Sequence, residues 1–193
     1  MQARLRETLA AHLEVIRGLD PLLPEVERLA TWGTQCLRAG GRILWMGNGG
    51  SAADCQHLAA ELVGRFERDR PGLAAIALTT DTSILTSVGN DLGFERIFAR
   101  QVEALGRPGD LLIGLSTSGK SRNVLAALQV GRGLGLRCAG LSGGSGGALA
   151  AATELCLTVP SANTARIQEA HILIGHMICD LVETALTSAP PAP

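Results

Sequence analysis

Gly47-Asn48-Gly49-Gly50-Ser51, running straight into Ala52-Ala53-Asp54-Cys55-Gln56-His57-Leu58-Ala59-Ala60-Glu61, is the stretch on which the reading of this chain turns. Ahead of it, Ile43-Leu44-Trp45-Met46 is a short apolar run that reads as a buried strand. Behind it, Ala52, Cys55, Leu58, Ala59 and Leu62 recur at helical spacing. Strand, glycine-rich turn and helix together make a nest of backbone N–H groups at a helix N-terminus, and such a place attracts anions and hydroxyls. His57 and Glu61 are four residues apart, on one face of that helix below the turn. A titratable pair beneath an anion-friendly loop is a candidate active site. An i,i+4 Glu–His pair also occurs as an ordinary solvated face, and these residues alone leave both readings open.

Outward from this stretch, strands and helices alternate. Toward the N-terminus, Leu5, Leu9, Leu13 and Ile16 mark an amphipathic helix closed by Gly18 and Pro21. A second helix runs from about Pro24 through Val26, Leu29, Ala30 and Leu37 to the stop at Gly40-Gly41. Strand 42–46 feeds the helix carrying His57 and Glu61, which ends near Gly64. A polar loop over 65–72 leads to a second strand over 73–78, and 79–91 reads as a loop with a short helix, followed by a helix over 94–105. Further strands are predicted at 111–115, 136–141 and 155–159, with helices at about 123–131 and 164–186. Short continuous apolar strands alternating with helices predict an α/β three-layer sandwich, with a five-stranded parallel sheet flanked by helices and preceded by two N-terminal helices. Residues 1–187 read as one domain, with the two helices of 1–40 packing on it, and 188–193 as a disordered tail. Ligands of such sheets bind outside the carboxyl ends of the strands, so the loops at 47–51, 79–91 and 116–121 are the candidates.

Composition narrows the class. With 193 residues, 46% hydrophobic and 18% charged, the chain suits one globular domain and is marginal for two. No apolar run is read as a membrane span, and Met1 to Glu7 lacks the basic-then-apolar order of a signal peptide. The five cysteines are scattered and form no CxxC pair, which fits reduced core thiols in a cytoplasmic protein. A net charge of −1 without a basic stripe leaves no footprint for nucleic acid.

Gly114-Leu115-Ser116-Thr117-Ser118-Gly119-Lys120-Ser121 matches the G-x-x-x-x-G-K-[ST] phosphate loop of nucleotide hydrolases. That reading ranks low: Gly114 looks like strand interior, a glycine-rich loop already follows the first strand, and no apolar strand ends in a magnesium-binding Asp. The better reading is that the hydroxyls of Ser116, Thr117, Ser118 and Ser121, with the helix N-terminus, hold a sugar phosphate.

Taken in order, several motifs resemble the phosphoheptose isomerases, a family of the sugar isomerase (SIS) fold. They are Gly47 to Asp54, Gln56-His57, Glu61 to Phe66, Arg70-Pro71-Gly72, Val88-Gly89-Asn90-Asp91, Ser116 to Gly119, and Arg166-Ile167-Gln168-Glu169 with His171 and His176. The resemblance spans about residue 40 to 183. It implies an aldose–ketose isomerase converting sedoheptulose 7-phosphate to D-glycero-D-manno-heptose 7-phosphate, the first step toward the heptose of bacterial lipopolysaccharide core or related glycans. It further implies that Asn48, Gly49, Gly50, Ser51, Glu61, Asn90, Asp91, Ser116, Thr117, Ser118, Ser121 and Gln168 contact substrate. His57, Glu61, Gln168 and His176 would bind zinc, one ion per subunit, with Glu61 and His176 as catalytic base and acid; His171 reads as structural. Ala165 departs from the pattern where some members carry an Asp.

Isomerisation through a cis-enediol needs a base between two adjacent carbons, a group handling protons at the oxygens, and stabilisation of the oxyanion. The residues above supply each. A non-catalytic branch of the fold that binds a replication initiator lacks the Glu and second His, positions filled here by Glu61 and His176. The family's tetrameric habit adds an expectation about assembly. Gln168 and His176 are separated by about 12 Å along a helix and roughly 80° around it. An active site shared between subunits of a homotetramer, with His176 from a neighbour and the first two helices at the interface, would relax that geometry.

Overall fold

A computed structural model describes residues 1–188, so the tail expected at 188–193 lies, apart from Ser188, outside the described residues. Five strands form one parallel sheet in the order β2-β1-β3-β4-β5: β1 Ile43–Gly47, β2 Ala75–Ala77, β3 Leu111–Ser116, β4 Arg137–Gly143 and β5 Leu155–Val159. Successive side chains of a strand point to opposite faces, and this sheet is apolar on both. Ile43, Trp45, Leu111, Ile113, Leu115, Ala139 and Leu141 enter one core, while Leu44, Met46, Leu112 and Cys138 enter the other. Continuous apolar strands are what a sheet covered on both sides requires.

The first core is closed by α2 (Leu23–Arg38), α3 (Gly50–Val63) and α8 (Thr164–Thr187), through Val26, Leu29, Cys55, Leu58, Leu62, Ile174 and Ile178. The second is closed by α5 (Ala99–Leu105), α6 (Arg122–Gly133) and α7 (Gly147–Ala152), through Val102, Val124, Leu128 and Leu149. The three-layer arrangement expected from the alternation is therefore the observed one. Ahead of it, α1 (Gln2–Arg17) joins α2 through a single 3-10 turn at Asp20–Leu22, and α1 buries none of its own residues completely.

Three local expectations change. The segment 79–91 is mostly helix: Asp81 caps α4 (Thr82–Asp91) by accepting a 2.9 Å hydrogen bond from the Ile84 N–H. The helix expected over 94–105 splits into a 3-10 turn, Phe94–Arg96, and α5. α7 has no sequence signature, because six residues with a single large apolar side chain, Leu149, give no readable period. In addition, α8, 24 residues long with an 18-residue stretch of mean hydropathy 1.2, meets the length and polarity of a membrane span. It is a helix of the core, whose Ile167, Ala170, Ile174, Ile178 and Val182 are buried against the sheet and its neighbouring helices.

Candidate active site

After β1 the chain turns into α3 on one face of the sheet, and after β3 it turns into α6 on the other. Neighbouring strands whose connections diverge in this way open a crevice at their carboxyl ends. The two loops are stitched together there. Asn48 Nδ2 donates to Asn123 Oδ1 at 2.9 Å and Asn123 Nδ2 donates back to Asn48 Oδ1 at 2.8 Å. Asn123 is buried, and its Oδ1 also accepts from the Val124 N–H at 2.9 Å. Asn48, expected to face substrate, is thus held by a residue that no spacing in the sequence marks out.

The β3–α6 loop is closed on itself by the Ser116 and Ser121 hydroxyls, 2.8 Å apart, and the Lys120 N–H donates to Ser118 Oγ at 3.3 Å. Ser121 sits at the N-cap of α6 with its side chain turned to Ser116 and not onto the helix. Behind the loop lies the glycine-rich end of β4. Ser142 Oγ donates to the Ser116 carbonyl at 3.0 Å, and the Leu149 N–H donates to the Gly119 carbonyl at 3.0 Å. Gly119 has φ +66°, and a Cβ there would stand 2.0 Å from the Gly146 carbonyl oxygen, so only glycine fits. The imidazole of His171 donates from Nε2 to the Ser142 carbonyl at 3.0 Å, and its Nδ1 has no partner. Burial pushes this imidazole down to about 4, with the Ser142 bond opposing. His171 is structural, as expected, and it braces the loop. Gly114 lies inside β3 under Val124, as strand interior and not loop, which removes the nucleotide-hydrolase match.

The third component is the pairing of α3 with α8, which lie side by side in the same direction. Gln168 packs over Gly50, where a Cβ would be 2.4 Å from Nε2, and Gly175 admits the tip of Leu58. Next along, His57 Nε2 and His176 Nε2 are 2.9 Å apart, and Glu61 Oε1 is 3.2 Å from His57 Nε2. The Phe66 ring lies 5.5 Å from that of His176. One chain therefore brings His57, Glu61 and His176 together, so the geometry does not require a neighbour to supply His176. The reason is helix register. The eight-residue step from Gln168 to His176 is matched by the seven-residue step from Gly50 to His57, each about 10–12 Å long. The two α8 side chains thus meet α3 at different levels and need not converge on one point from a single helix.

A tetrahedral zinc ion with bonds of about 2.0–2.1 Å places its ligand atoms roughly 3.4 Å apart. The His57–His176 and His57–Glu61 separations of 2.9 and 3.2 Å come within about half an ångström of that spacing. Two imidazole nitrogens and a carboxylate are a chemically suitable donor set. Among the described residues, however, no three His, Cys, Asp or Glu side chains already stand in liganding geometry. Glu61 reaches His57 but not His176. Asp54, one turn before His57, is half-buried with Oδ2 lacking a partner; burial raises its carboxyl to about 6, against the pull of His57. Of the remaining predicted residues, Gly49, Gly50 and Ser51 open α3. Thr117 and Ser118 lie on the serine loop, and Ala165 is an exposed first-turn residue of α8. Asn90 and Asp91 are not brought to the cluster: they end α4 in solvent, the Asn90 amide donating to Asp91 at 2.7 Å.

The family profile described as SIS domain matches residues 10–143. A phosphoheptose isomerase of Roseiflexus sp. is 56% identical over 170 residues, 88% of this chain and 86% of the relative. One of Rhodospirillum rubrum is 54% identical over 188 residues, 97% of this chain and 100% of the relative. The solved phosphoheptose isomerase of Neisseria gonorrhoeae is 44% identical, with a TM-score of 0.90 over 95% of this chain and 98% of that one.

Proposed function

Because the chain belongs to the SIS-domain phosphoheptose isomerases, we propose that it converts sedoheptulose 7-phosphate to D-glycero-D-manno-heptose 7-phosphate through an enediol, with the α3–α8 cluster as its reacting end. The observation that carries the assignment of roles is the 2.9 Å approach of His57 to His176 with Glu61 alongside, on the helix that the Gly47–Ser51 turn opens. The substrate carries its phosphate and its carbonyl at opposite ends. A phosphate held by Ser116, Thr117, Ser118, Ser121 and the N-terminus of α6 leaves the sugar chain to run past Asn48, Gly49, Gly50 and Ser51. The carbonyl end then reaches the cluster.

Glu61 is the base that moves the proton between C1 and C2, and His176 handles the proton at the carbonyl and hydroxyl oxygens. His57, bridging the two, orients both side chains. Gln168, poised over Gly50, contacts the substrate between the subsites. His57, Glu61 and His176 are the donors that would hold a zinc ion, which when bound would polarise the carbonyl; Gln168, seated over Gly50, would join them only by reaching down from that level. Asn90 and Asp91 contact substrate only if α4 or a neighbouring subunit brings them in. The five free thiols fit a reducing cytoplasmic setting. A homotetramer is supported by the exposed leucine stripe of α1, Leu5, Leu9 and Leu13. Purified protein incubated with sedoheptulose 7-phosphate in D2O should yield the aldose with deuterium at C2, read by NMR. Absence of turnover, with the fold intact and zinc supplied, would overturn the assignment.

A further inference from the structure

Glu183 has no exposed surface, although it is ionisable and lies outside the catalytic cluster. It follows His176 by seven residues, two turns on along the same face of α8. Its carboxylate accepts from the backbone N–H groups of Phe66 (3.0 Å), Glu67 (2.8 Å) and Arg68 (2.8 Å), and from Arg70 Nε at 2.8 Å. The buried guanidinium of Arg70 in turn donates to the carbonyls of Glu61 (2.9 Å), Leu62 (2.8 Å), Pro71 (3.1 Å) and Gly64 (3.4 Å). The last carbonyls of a helix lack intrahelical partners and carry its negative dipole end, so a cation there satisfies both needs. Burial raises the Glu183 carboxyl, but the three N–H bonds and Arg70 outweigh it and hold it below the usual range.

We propose that Arg70 and Glu183 are positioning residues for the isomerisation, a buried clamp that sets Glu61 and His176 relative to each other; this rests on the isomerase reading. Arg70 fixes the backbone of Glu61 directly. Glu183 folds the 66–68 segment so that the Phe66 ring lies against His176. A buried ion pair is a weak stabiliser because its desolvation offsets most of its attraction. Its place between the two helices is explained by the alignment it enforces.

The test is Arg70→Lys, which keeps the charge but loses the planar fork. The variant should remain folded by circular dichroism and lose roughly 10- to 100-fold in kcat, as a misplacement of about 1 Å would cause. KM should change less than about threefold, because the phosphate subsite is remote from the clamp. In the metal-free protein, the 15N resonances of the His57 and His176 rings should shift relative to wild type while that of His171 stays. Glu183→Gln, nearly isosteric, should show the same split. Unchanged kcat with unchanged ring resonances, or misfolding of both variants, would overturn the proposal. If wild type itself fails to isomerise the heptose phosphate, the assigned reaction is wrong, and the ring resonances still decide the clamp.

Discussion

Glu61 stands 3.2 Å from His57 with its side chain mostly covered, and its only ion-pair partner among the described residues is that imidazole. Glu61→Gln keeps the shape and a hydrogen bond but removes the proposed base. The expected result is a loss of kcat of about 10²- to 10⁴-fold with an unchanged thermal midpoint, measured by coupled assay and calorimetry. His171 sets a different prediction. Its folded value, about 4, lies below the ordinary value of 6.5, so the unfolded chain binds the extra proton between those pH values. Its contribution to stability is complete above pH 6.5 and falls as pH drops through that window, by roughly 3 kcal/mol in total. Urea unfolding of wild type should weaken between pH 7 and 4.5, and His171→Gln should show a shallower decline over the same range. An identical slope would mean that other groups carry the acid sensitivity.

At the scale of elements, the crevice exists because two loops and two helices are locked in register. Gly50→Ala presses a methyl into the end of Gln168, a flexible side chain that can move aside. Stability should change by less than about 1 kcal/mol while activity falls, since Gln168 is displaced from the sugar path. Gly119→Ala behaves in the opposite way: the left-handed backbone alone costs roughly 1–2 kcal/mol, and the Gly146 backbone cannot move aside. Denaturant titration should show a clear loss of stability. Ser118→Ala and Ser121→Ala should mainly raise KM, because hydroxyls gripping a remote phosphate act alike on ground and transition states. Inhibition by inorganic phosphate should weaken in parallel. ATP hydrolysis lost on Lys120→Ala would instead restore the nucleotide reading.

For the whole molecule, the leucines at positions 5, 9 and 13 of α1 are left bare, while Val15 and Ile16 near its C-terminal end pack on the core. An exposed stripe of this kind calls for a partner, and a second copy of the chain is the simplest. Leu9→Glu should lower the assembled mass measured by light scattering. Since His57, Glu61 and His176 belong to one chain, mixing Glu61→Gln with His176→Ala subunits should not restore activity. Recovery, with subunit exchange shown independently, would instead establish a site shared between subunits.

The sheet, its strand-to-helix alternation and the Gly47–Ser51 turn were legible in the sequence because they depend on local periodicity and on backbone geometry that glycine permits. His57 and Glu61 were legible for the same reason, being one helical turn apart. Strand order, the facing of α3 and α8, and therefore the meeting of His57 with His176 across 119 residues, depend on long-range packing that no local pattern encodes. The same holds for Asn123, Arg70 and Glu183. Each works through a partner distant in sequence or through backbone groups that carry no sequence identity. Reach reckoned along α8 alone cannot reveal that His176 meets His57 within one chain; Leu58 seated on Gly175 draws α3 close enough for the two imidazoles to approach.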